Sequence, residues 1–232
     1  MSDMYTKHAK RYDAVAQSNI YNALLERPST IALLSPLSEK TVLDMGCGSG
    51  IYAQYFLTQN VNYLTCIDAS SEMIELVKAK HGSNVNAYVQ DLSQGLPQEP
   101  DNLYDAIICP LVLHYLEDLP TLFQEAYRVL KKGGYMVFSM HHPFADFECS
   151  VTGNYYEREQ IEEEWDTVGE LVTVRFYRRS LTEITEALNA AGFVISRLTE
   201  GVVAKEAKQI SPETYERLSR NPNFIFIRCE KW

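Results

Sequence analysis

The sequence predicts an α/β fold in which a doubly wound, mostly parallel sheet carries helices on both faces. Strand-like and helix-like segments alternate from about residue 41 to residue 140, and the same alternation returns after residue 180. A glycine-rich turn joins the first strand-like segment to the helix that follows it. Parallel strands need helix-length crossovers, so this alternation indicates a parallel sheet whose carboxyl edge binds ligands.

The glycine-rich turn lies in residues 41–50, TVLDMGCGSG. Glycine adopts backbone angles that are closed to other residues and leaves no Cβ between the main chain and a ligand, so a cofactor can lie against this turn. The turn residues that we expect to contact the cofactor are Gly46, Cys47, Gly48 and Gly50. The spacing from Gly48 to Ala53 also satisfies the relaxed dinucleotide pattern G-x-G-x-x-A.

Asp44 helps to separate the cofactor classes that such a turn accepts. It stands two residues before the first glycine of the turn. A carboxylate at this position would repel a pyrophosphate and attract an ammonium group. S-adenosylmethionine carries an ammonium group and no phosphate, which favours it over a nicotinamide dinucleotide. A glycine turn that serves only packing is the remaining alternative.

A second predicted strand, residues 61–68, also ends in an acid, Asp68. This carboxylate lies 18 positions beyond Gly50, close to the spacing of about 20 at which an acid binds ribose hydroxyls. The helix predicted over 69–81 begins at a serine cap and ends at Gly82. Met73 in its first turn is either a core residue or an adenine contact.

The third predicted strand, residues 84–90, is followed by Asp91. Three successive strands thus end at acids, and the ends of parallel strands meet at one edge of the sheet. We expect Asp91 to accept a hydrogen bond from an adenine amino group and the Leu92 amide to face a ring nitrogen. The alternative is that Asp91 only caps a turn.

Two histidines follow the fifth predicted strand, residues 135–140. Before it, the pattern predicts a strand at 104–109 and an amphipathic helix with Pro120 in its first turn and Lys131 and Lys132 in its last. His141 and His142 would lie at the ligand edge, where a histidine can act as a general base. Capping of the strand end or stacking on the substrate are the alternatives.

The remaining segments complete a single domain with four parts, 1–38, 39–144, 145–179 and 180–232. The first part is a helical cap, with helices at 4–17 and 19–25 and a break at Pro28. The second is the cofactor-binding core, and the third alternates in polarity, which predicts an inserted hairpin over the substrate. The last part contains a helix capped by Ser180, a sixth strand at 193–198, a polar loop at 199–221 and a seventh strand.

Composition excludes several classes of protein. The 232 residues carry a net charge of −10 and no dense basic cluster, which argues against a nucleic-acid substrate. Five cysteines without a C-x-x-C pair argue against a disulfide framework and a zinc site, so no metal is expected. No apolar run is long enough for a membrane span and the N-terminus is polar, which predicts a cytoplasmic protein. The insertion could alternatively be a contact in a homodimer or a plain surface extension.

Five motifs resemble those of the class I S-adenosylmethionine-dependent methyltransferases, in particular the group of ubiquinone and menaquinone methyltransferases. They lie at 42–50, 67–73, 90–92, 104–116 and 128–134. The resemblance implies a Rossmann-like, seven-stranded sheet with an antiparallel last strand. The cofactor contacts that it implies are Tyr12, Asp44, Gly46, Cys47, Gly48, Gly50, Asp68, Ala69, Met73, Asp91, Leu92 and the main chain near Cys109.

The expected function is transfer of a methyl group from S-adenosylmethionine to an oxygen, nitrogen or carbon of a small-molecule acceptor. Within the resemblance, a tyrosine of the N-terminal helix reaches the cofactor carboxylate, and Tyr12 is a better candidate than Tyr5. The Asp/Asn-Pro-Pro-aromatic motif of adenine and glutamine methyltransferases is missing after Cys109. A nicotinamide-dependent oxidoreductase and a non-catalytic binding module of the same fold are the alternatives.

Overall fold

Nine strands make up two separate sheets in the computed structural model, which describes residues 2–232. They are β1 (Thr41–Met45), β2 (Tyr63–Asp68), β3 (Asn86–Val89), β4 (Tyr104–Pro110), β5 (Leu130–His141), β6 (Glu159–Trp165), β7 (Val172–Arg178), β8 (Val194–Thr199) and β9 (Phe224–Glu230). Seven of them form the main sheet, in the order β3-β2-β1-β4-β5-β9-β8. Strands β6 and β7 pair only with each other.

The first five strands are parallel to one another, and the last strand, β9, is antiparallel to both β5 and β8. This arrangement confirms the predicted α/β sheet and its antiparallel last strand. The order of the strands reverses between β1 and β4, so a crevice opens at their carboxyl ends. A ligand is expected at this place in an open parallel sheet.

The helices cover both faces of the main sheet. They are α1 (Ala9–Ala16), α2 (Arg27–Ile31), α3 (Ile51–Thr58), α4 (Ser71–His81), α5 (Leu119–Val129), α6 (Pro143–Asp146), α7 (Leu181–Ala190), α8 (Ala207–Ile210) and α9 (Pro212–Arg220). Phe123 of α5 and Leu188 of α7 belong to the core on one face. Phe56 of α3, Val77 of α4 and Leu218 of α9 belong to the core on the other. Across residues 2–232, no helix is both long and apolar enough to cross a membrane.

Three local predictions were wrong: the end of the helix at Lys131 and Lys132, the loop at 199–221 and the break at Pro28. The helix before β5 ends at Val129, and Lys131 and Lys132 belong to the strand, because Leu130 pairs with Tyr104 and the Lys131 ammonium lies 2.8 Å from Asp105. The predicted loop at 199–221 contains α8 and α9. The first turn of α9 is fixed by the Ser211 side chain, which accepts a hydrogen bond from the Thr214 amide.

Pro28 does not break the N-terminal helices. A π-helical segment, Ile20–Glu26, continues directly into α2, and Pro28 stands in the first turn of that helix. A proline is tolerated there because the amide it lacks would have had no partner within the helix. The segment therefore remains helical and carries Glu26 into the protein interior.

The predicted hairpin insertion is present as the antiparallel pair β6 and β7. Val174 and Phe176 of β7 are buried on the face that packs against the rest of the protein. Arg178, at the end of β7, is fully buried; it pairs with Glu159 and donates to the carbonyl oxygen of Asn154 at 2.8 Å. This buried guanidinium ties the hairpin to the loop that precedes it.

Candidate active site

A cavity of about 650 Å³ lies at the carboxyl ends of β1, β2 and β4. Its walls come from the glycine turn, the N-terminal segment, the ends of the strands and the hairpin. Of the residues predicted to bind the cofactor, nine line this cavity: Tyr12, Asp44, Gly46, Cys47, Gly48, Asp68, Ala69, Asp91 and Leu92. The cavity therefore brings together side chains that are distant in the sequence, and its size is within the range that holds a small organic ligand.

Gly50, Met73 and Cys109 do not line this cavity. Gly50 has a φ of +81° and begins α3, where a Cβ would lie 3.1 Å from the His81 ring. Met73 is a buried core residue. Cys109 is buried within β4, and the next three residues, 110–112, line the cavity in its place.

His141 and His142 also lie away from the cavity wall. The His141 ring stacks on His114, with centroids 3.8 Å apart. His142 caps α6, because its Nδ1 accepts a hydrogen bond from the Phe144 amide at 3.1 Å. The capping alternative thus describes His142. His141 is the last residue of β5, but its ring packs against Trp165 and Phe176 of the hairpin and does not line the cavity.

The glycine turn orients the second carboxylate, Asp68. The Gly48 amide donates to Asp68 Oδ2 at 2.9 Å, and the Ser70 amide donates to its Oδ1 at 2.8 Å. Burial raises the pKa of Asp68, while these amide donors lower it. The carboxylate therefore has a fixed direction at the cavity wall, and its remaining lone pairs are acceptors for ligand hydroxyls.

Asp44 is the most unusual group of the cavity. It is 0% exposed, and neither carboxylate oxygen has a hydrogen-bond partner among residues 2–232. Burial raises its pKa well above the usual range, and the nearby charges of Asp68 and Glu26 raise it further. A buried carboxylate without a partner is costly. Asp44 lines the cavity, so a cationic group of a ligand can supply the missing partner.

Sequence reasoning missed Glu26 and Arg27, which line the same cavity. Glu26 is buried and accepts hydrogen bonds from the hydroxyls of Tyr52 at 2.9 Å and Ser139 at 2.7 Å. Arg27 donates to the Ala16 carbonyl at 2.8 Å, but its buried Nε has no partner in the described chain. The available signal was a charged pair directly before Pro28 in an otherwise apolar helical segment.

Aromatic side chains form the part of the wall beside the N-terminal segment. The hydroxyls of Tyr5 and Tyr115 are 2.7 Å apart, and the Tyr5 and Tyr12 rings meet edge to face with centroids 4.9 Å apart. Burial raises the pKa of all three phenols. They are therefore neutral hydrogen-bonding groups near pH 7. Tyr115 was another residue that the sequence did not identify.

Asp91 is exposed and begins a short 3₁₀ turn, because its side chain accepts from the Ser93 amide at 2.9 Å. One Asp91 oxygen therefore caps the turn, as the alternative interpretation predicted. Leu92 beside it is buried and also lines the cavity. Their contact with adenine stays a prediction.

The charge of the cavity wall is negative. The acidic residues that line it are Asp3, Glu26, Asp44, Asp68, Asp91 and Glu170, and the basic ones are Lys7, Arg27 and Arg175. The acids outnumber the bases by three, so the wall favours a ligand that carries positive charge over a pyrophosphate. Among the described residues, no three acidic, histidine or cysteine side chains group as a metal site requires.

Comparison with known proteins identifies the fold. Residues 43–138 match the family model described as a methyltransferase domain. This part of the chain is a class I S-adenosylmethionine-dependent methyltransferase domain. The predicted family is confirmed. An S-adenosylmethionine-dependent methyltransferase from Mesorhizobium loti has the same fold, with a TM-score of 0.74 over 93% of this chain and 100% of that one, at 21% identity.

Curated relatives of the methyltransferase domain are distant. An uncharacterised protein from Haemophilus influenzae is 25% identical over 90% of this chain and 88% of its own length. A ubiquinone biosynthesis O-methyltransferase from Nitrosomonas europaea is 31% identical over 46% of each chain. The methyltransferase thus spans about half the length of the curated enzymes that it matches.

The methyltransferase cavity suits S-adenosylmethionine on three structural observations. Asp44 lacks a partner that an ammonium group would provide, and the buried Nε of Arg27 lacks an acceptor that a carboxylate would provide. A Cβ at Gly48 would meet no protein atom within 4 Å, so the main chain there is open to a ligand. The tail of the cofactor carries both an ammonium and a carboxylate group.

Proposed function

We propose that this protein transfers the methyl group of S-adenosylmethionine to an oxygen, nitrogen or carbon of a small-molecule acceptor. The observation that carries the proposal is the buried Asp44 carboxylate, which lines the cavity at the glycine turn without a partner in the described chain. A nicotinamide cofactor would bring a pyrophosphate to this carboxylate, which makes the oxidoreductase alternative unfavourable. A binding module without cofactor would gain nothing from a costly buried charge.

Separate parts of the cavity wall would hold the cofactor. In the proposal, Asp44 binds its ammonium group and Arg27 its carboxylate, with Tyr12 beside them. Asp68 binds the ribose hydroxyls, and the Asp91 and Leu92 pair faces the adenine. When bound, S-adenosylmethionine supplies a methyl group activated by a positively charged sulfur. The task of the protein is then to hold the acceptor in line and to exclude water, and alignment alone lowers a barrier by several kcal/mol.

The hairpin residues in the cavity wall support a small acceptor. Leu171, Val172 and Thr173 line the cavity together with Tyr115. A wall of this kind encloses a molecule rather than a polymer, and the net charge of −10 disfavours nucleic acid. We therefore propose residues 145–179 as the acceptor wall and 39–144 as the cofactor core of one domain. Phenols, quinone precursors and amines are the acceptors to screen with a labelled methyl donor.

The direct test is calorimetric titration with S-adenosylhomocysteine, the product form of the cofactor. We expect saturable binding to the wild type and a roughly 10- to 100-fold loss of affinity in Asp68→Asn, because two or more ribose hydrogen bonds to a charged acceptor weaken. Asp166→Asn makes the same chemical change at an exposed hairpin residue and should bind like the wild type. Absence of binding to the wild-type protein would refute the proposal.

Binding should also depend on pH through Asp44. The pKa of Asp44 is raised in the folded protein without ligand, so its ionisation costs stability as pH rises through that value. An ammonium partner removes this cost. We expect the increase in melting temperature produced by S-adenosylhomocysteine to be larger at pH 8 than at pH 6. In Asp44→Asn the difference between the two increases should become smaller, and a difference of unchanged size would exclude Asp44 as its source.

A further inference from the structure

Two stacked histidines connect the main sheet of the methyltransferase to its hairpin. His114 lies in the 3₁₀ turn after β4 and is 1% exposed; His141 is the last residue of β5. Their rings are nearly parallel, at 11°, with centroids 3.8 Å apart. The pair therefore bridges the carboxyl ends of two adjacent strands directly behind the cavity.

Aromatic rings of the hairpin enclose this stack. The Phe176 centroid lies 4.9 Å from that of His141 and 6.5 Å from that of His114, and the Trp165 centroid lies 5.8 Å from that of His141. Phe224 of β9 closes the other side of His141 at 6.2 Å. The histidine stack is thus the surface on which the buried face of the hairpin rests.

The stack also supports the cavity wall. The His114 ring contacts the ring of the next residue, Tyr115, with centroids 4.2 Å apart, and the Tyr115 hydroxyl meets that of Tyr5 inside the cavity. On the hairpin side, the strand that carries Phe176 also supplies Val172 and Thr173 to the wall. Movement of the hairpin away from the histidines would therefore change the shape of the cavity.

The surroundings of His114 admit a neutral ring only. Its Nδ1 is buried and has no hydrogen-bond partner among the described residues. Burial lowers the pKa of His114 well below its usual value, and the neighbouring His141 and the buried Arg179 guanidinium lower it further.

Three carboxylates near the histidine stack lie beside His141, Trp165 or His142. Asp146 Oδ1 is 3.3 Å from His141 Nδ1, without hydrogen-bond geometry. Glu163 is engaged by the Trp165 indole at 2.8 Å, and Glu200 lies 3.8 Å from His142. A proton on His114 would therefore add a positive charge near the buried Arg179 guanidinium, and the Nδ1–H of His114 would have no acceptor among the described residues.

We propose that His114 and His141 are positioning residues, which hold the hairpin wall of the cavity in place only while His114 is neutral. Addition of a proton to His114 separates the hairpin from the stack. Because the folded state resists this proton and the unfolded state accepts it at about pH 6.5, the stability of the packed form falls as pH drops below that value.

The fluorescence of Trp165 reports this event without cofactor or acceptor, so the result does not depend on the proposed function. Trp232 is exposed at the C-terminus, and Trp232→Phe leaves Trp165 as the single tryptophan. As the pH falls from 8 towards 4 we expect one transition in the Trp165 emission, with its midpoint well below about 6.5. In His114→Phe the ring stack is kept without a titrating nitrogen, and the transition should disappear.

His142→Asn provides the matched control, because it removes a neighbouring histidine and keeps a residue that caps α6. This variant should keep the transition, and His141→Phe should move it to higher pH by removing one of the causes that lower the pKa of His114. Persistence of the transition in His114→Phe, or its loss in His142→Asn, would overturn the proposal.

The wild-type protein provides a second test if a variant does not fold. The imidazole nitrogen signals of His114 and the indole signal of Trp165 can be followed by NMR over the same pH range. The proposal requires both to change with a common midpoint. Separate midpoints, or a His114 that takes up its proton without any change at Trp165, would overturn it.

Discussion

Asp44→Asn should weaken the binding of S-adenosylhomocysteine by roughly 10- to 100-fold, the loss of about 1.5–3 kcal/mol expected when a charged hydrogen-bond partner is removed. The same variant should stabilise the protein without ligand, because both Asp44 oxygens are buried without a partner in residues 2–232. An amide of the same shape carries no charge to desolvate. Calorimetric titration and thermal unfolding measure the two effects on the same samples.

The opposite signs of these two effects make the prediction specific. A substitution that merely damages the fold lowers both stability and affinity. Asp166→Asn, at an exposed position of the hairpin turn, should change neither. If Asp44→Asn destabilised the ligand-free protein, the carboxylate would have a structural partner and would not serve as the ammonium site.

Gly48→Ala should reduce the affinity for S-adenosylhomocysteine by at least about tenfold, since a methyl group would stand between the main chain and the ligand. A Cβ at Gly48 meets no protein atom within 4 Å, and its φ is +53°. The cost in stability should therefore be only the backbone strain of a left-handed residue, about 1–2 kcal/mol. Titration and denaturant unfolding separate the two quantities.

Two other glycines supply the comparison for Gly48. Gly153 has a φ of +69° and equally open surroundings, but it lies outside the cavity lining. Gly153→Ala should therefore lose similar stability and no affinity. Gly46→Ala should be the least stable of the three, because its Cβ would lie 2.2 Å from Val112 Cγ2. Equal affinities in the Gly48 and Gly153 variants would place the ligand away from the turn.

The fold was predictable because it follows from short-range patterns. The alternating apolar segments and the glycine turn indicated a mostly parallel sheet, and the acids at three strand ends indicated the ligand edge. Errors arose where tertiary contacts decide local structure. Lys131 belongs to a strand because it pairs with Asp105, and 212–220 is helical because Leu218 is buried against the sheet.

The site was predictable where acids lie at the ends of parallel strands, as Asp44, Asp68 and Asp91 do. Glu26 and Arg27 reach the cavity because the helical segment continues past Pro28, where the pattern predicted a break. His141 and His142 were expected at the ligand edge, yet His141 packs against His114, 27 residues earlier in the chain. Neither contact leaves a periodic signal in the sequence.

The hydrogen-bond ladder of β6 and β7 is separate from the main sheet, so the proposed acceptor wall can change independently of the proposed cofactor core. The two strands pair only with each other, so insertions or deletions in the hairpin do not shift the register of the main sheet. Selection needs to preserve only its buried face, which includes Val174 and Phe176. In the proposed acceptor wall, Leu171 and Thr173 are therefore the positions where we expect new acceptors to be accommodated without change to the proposed cofactor contacts.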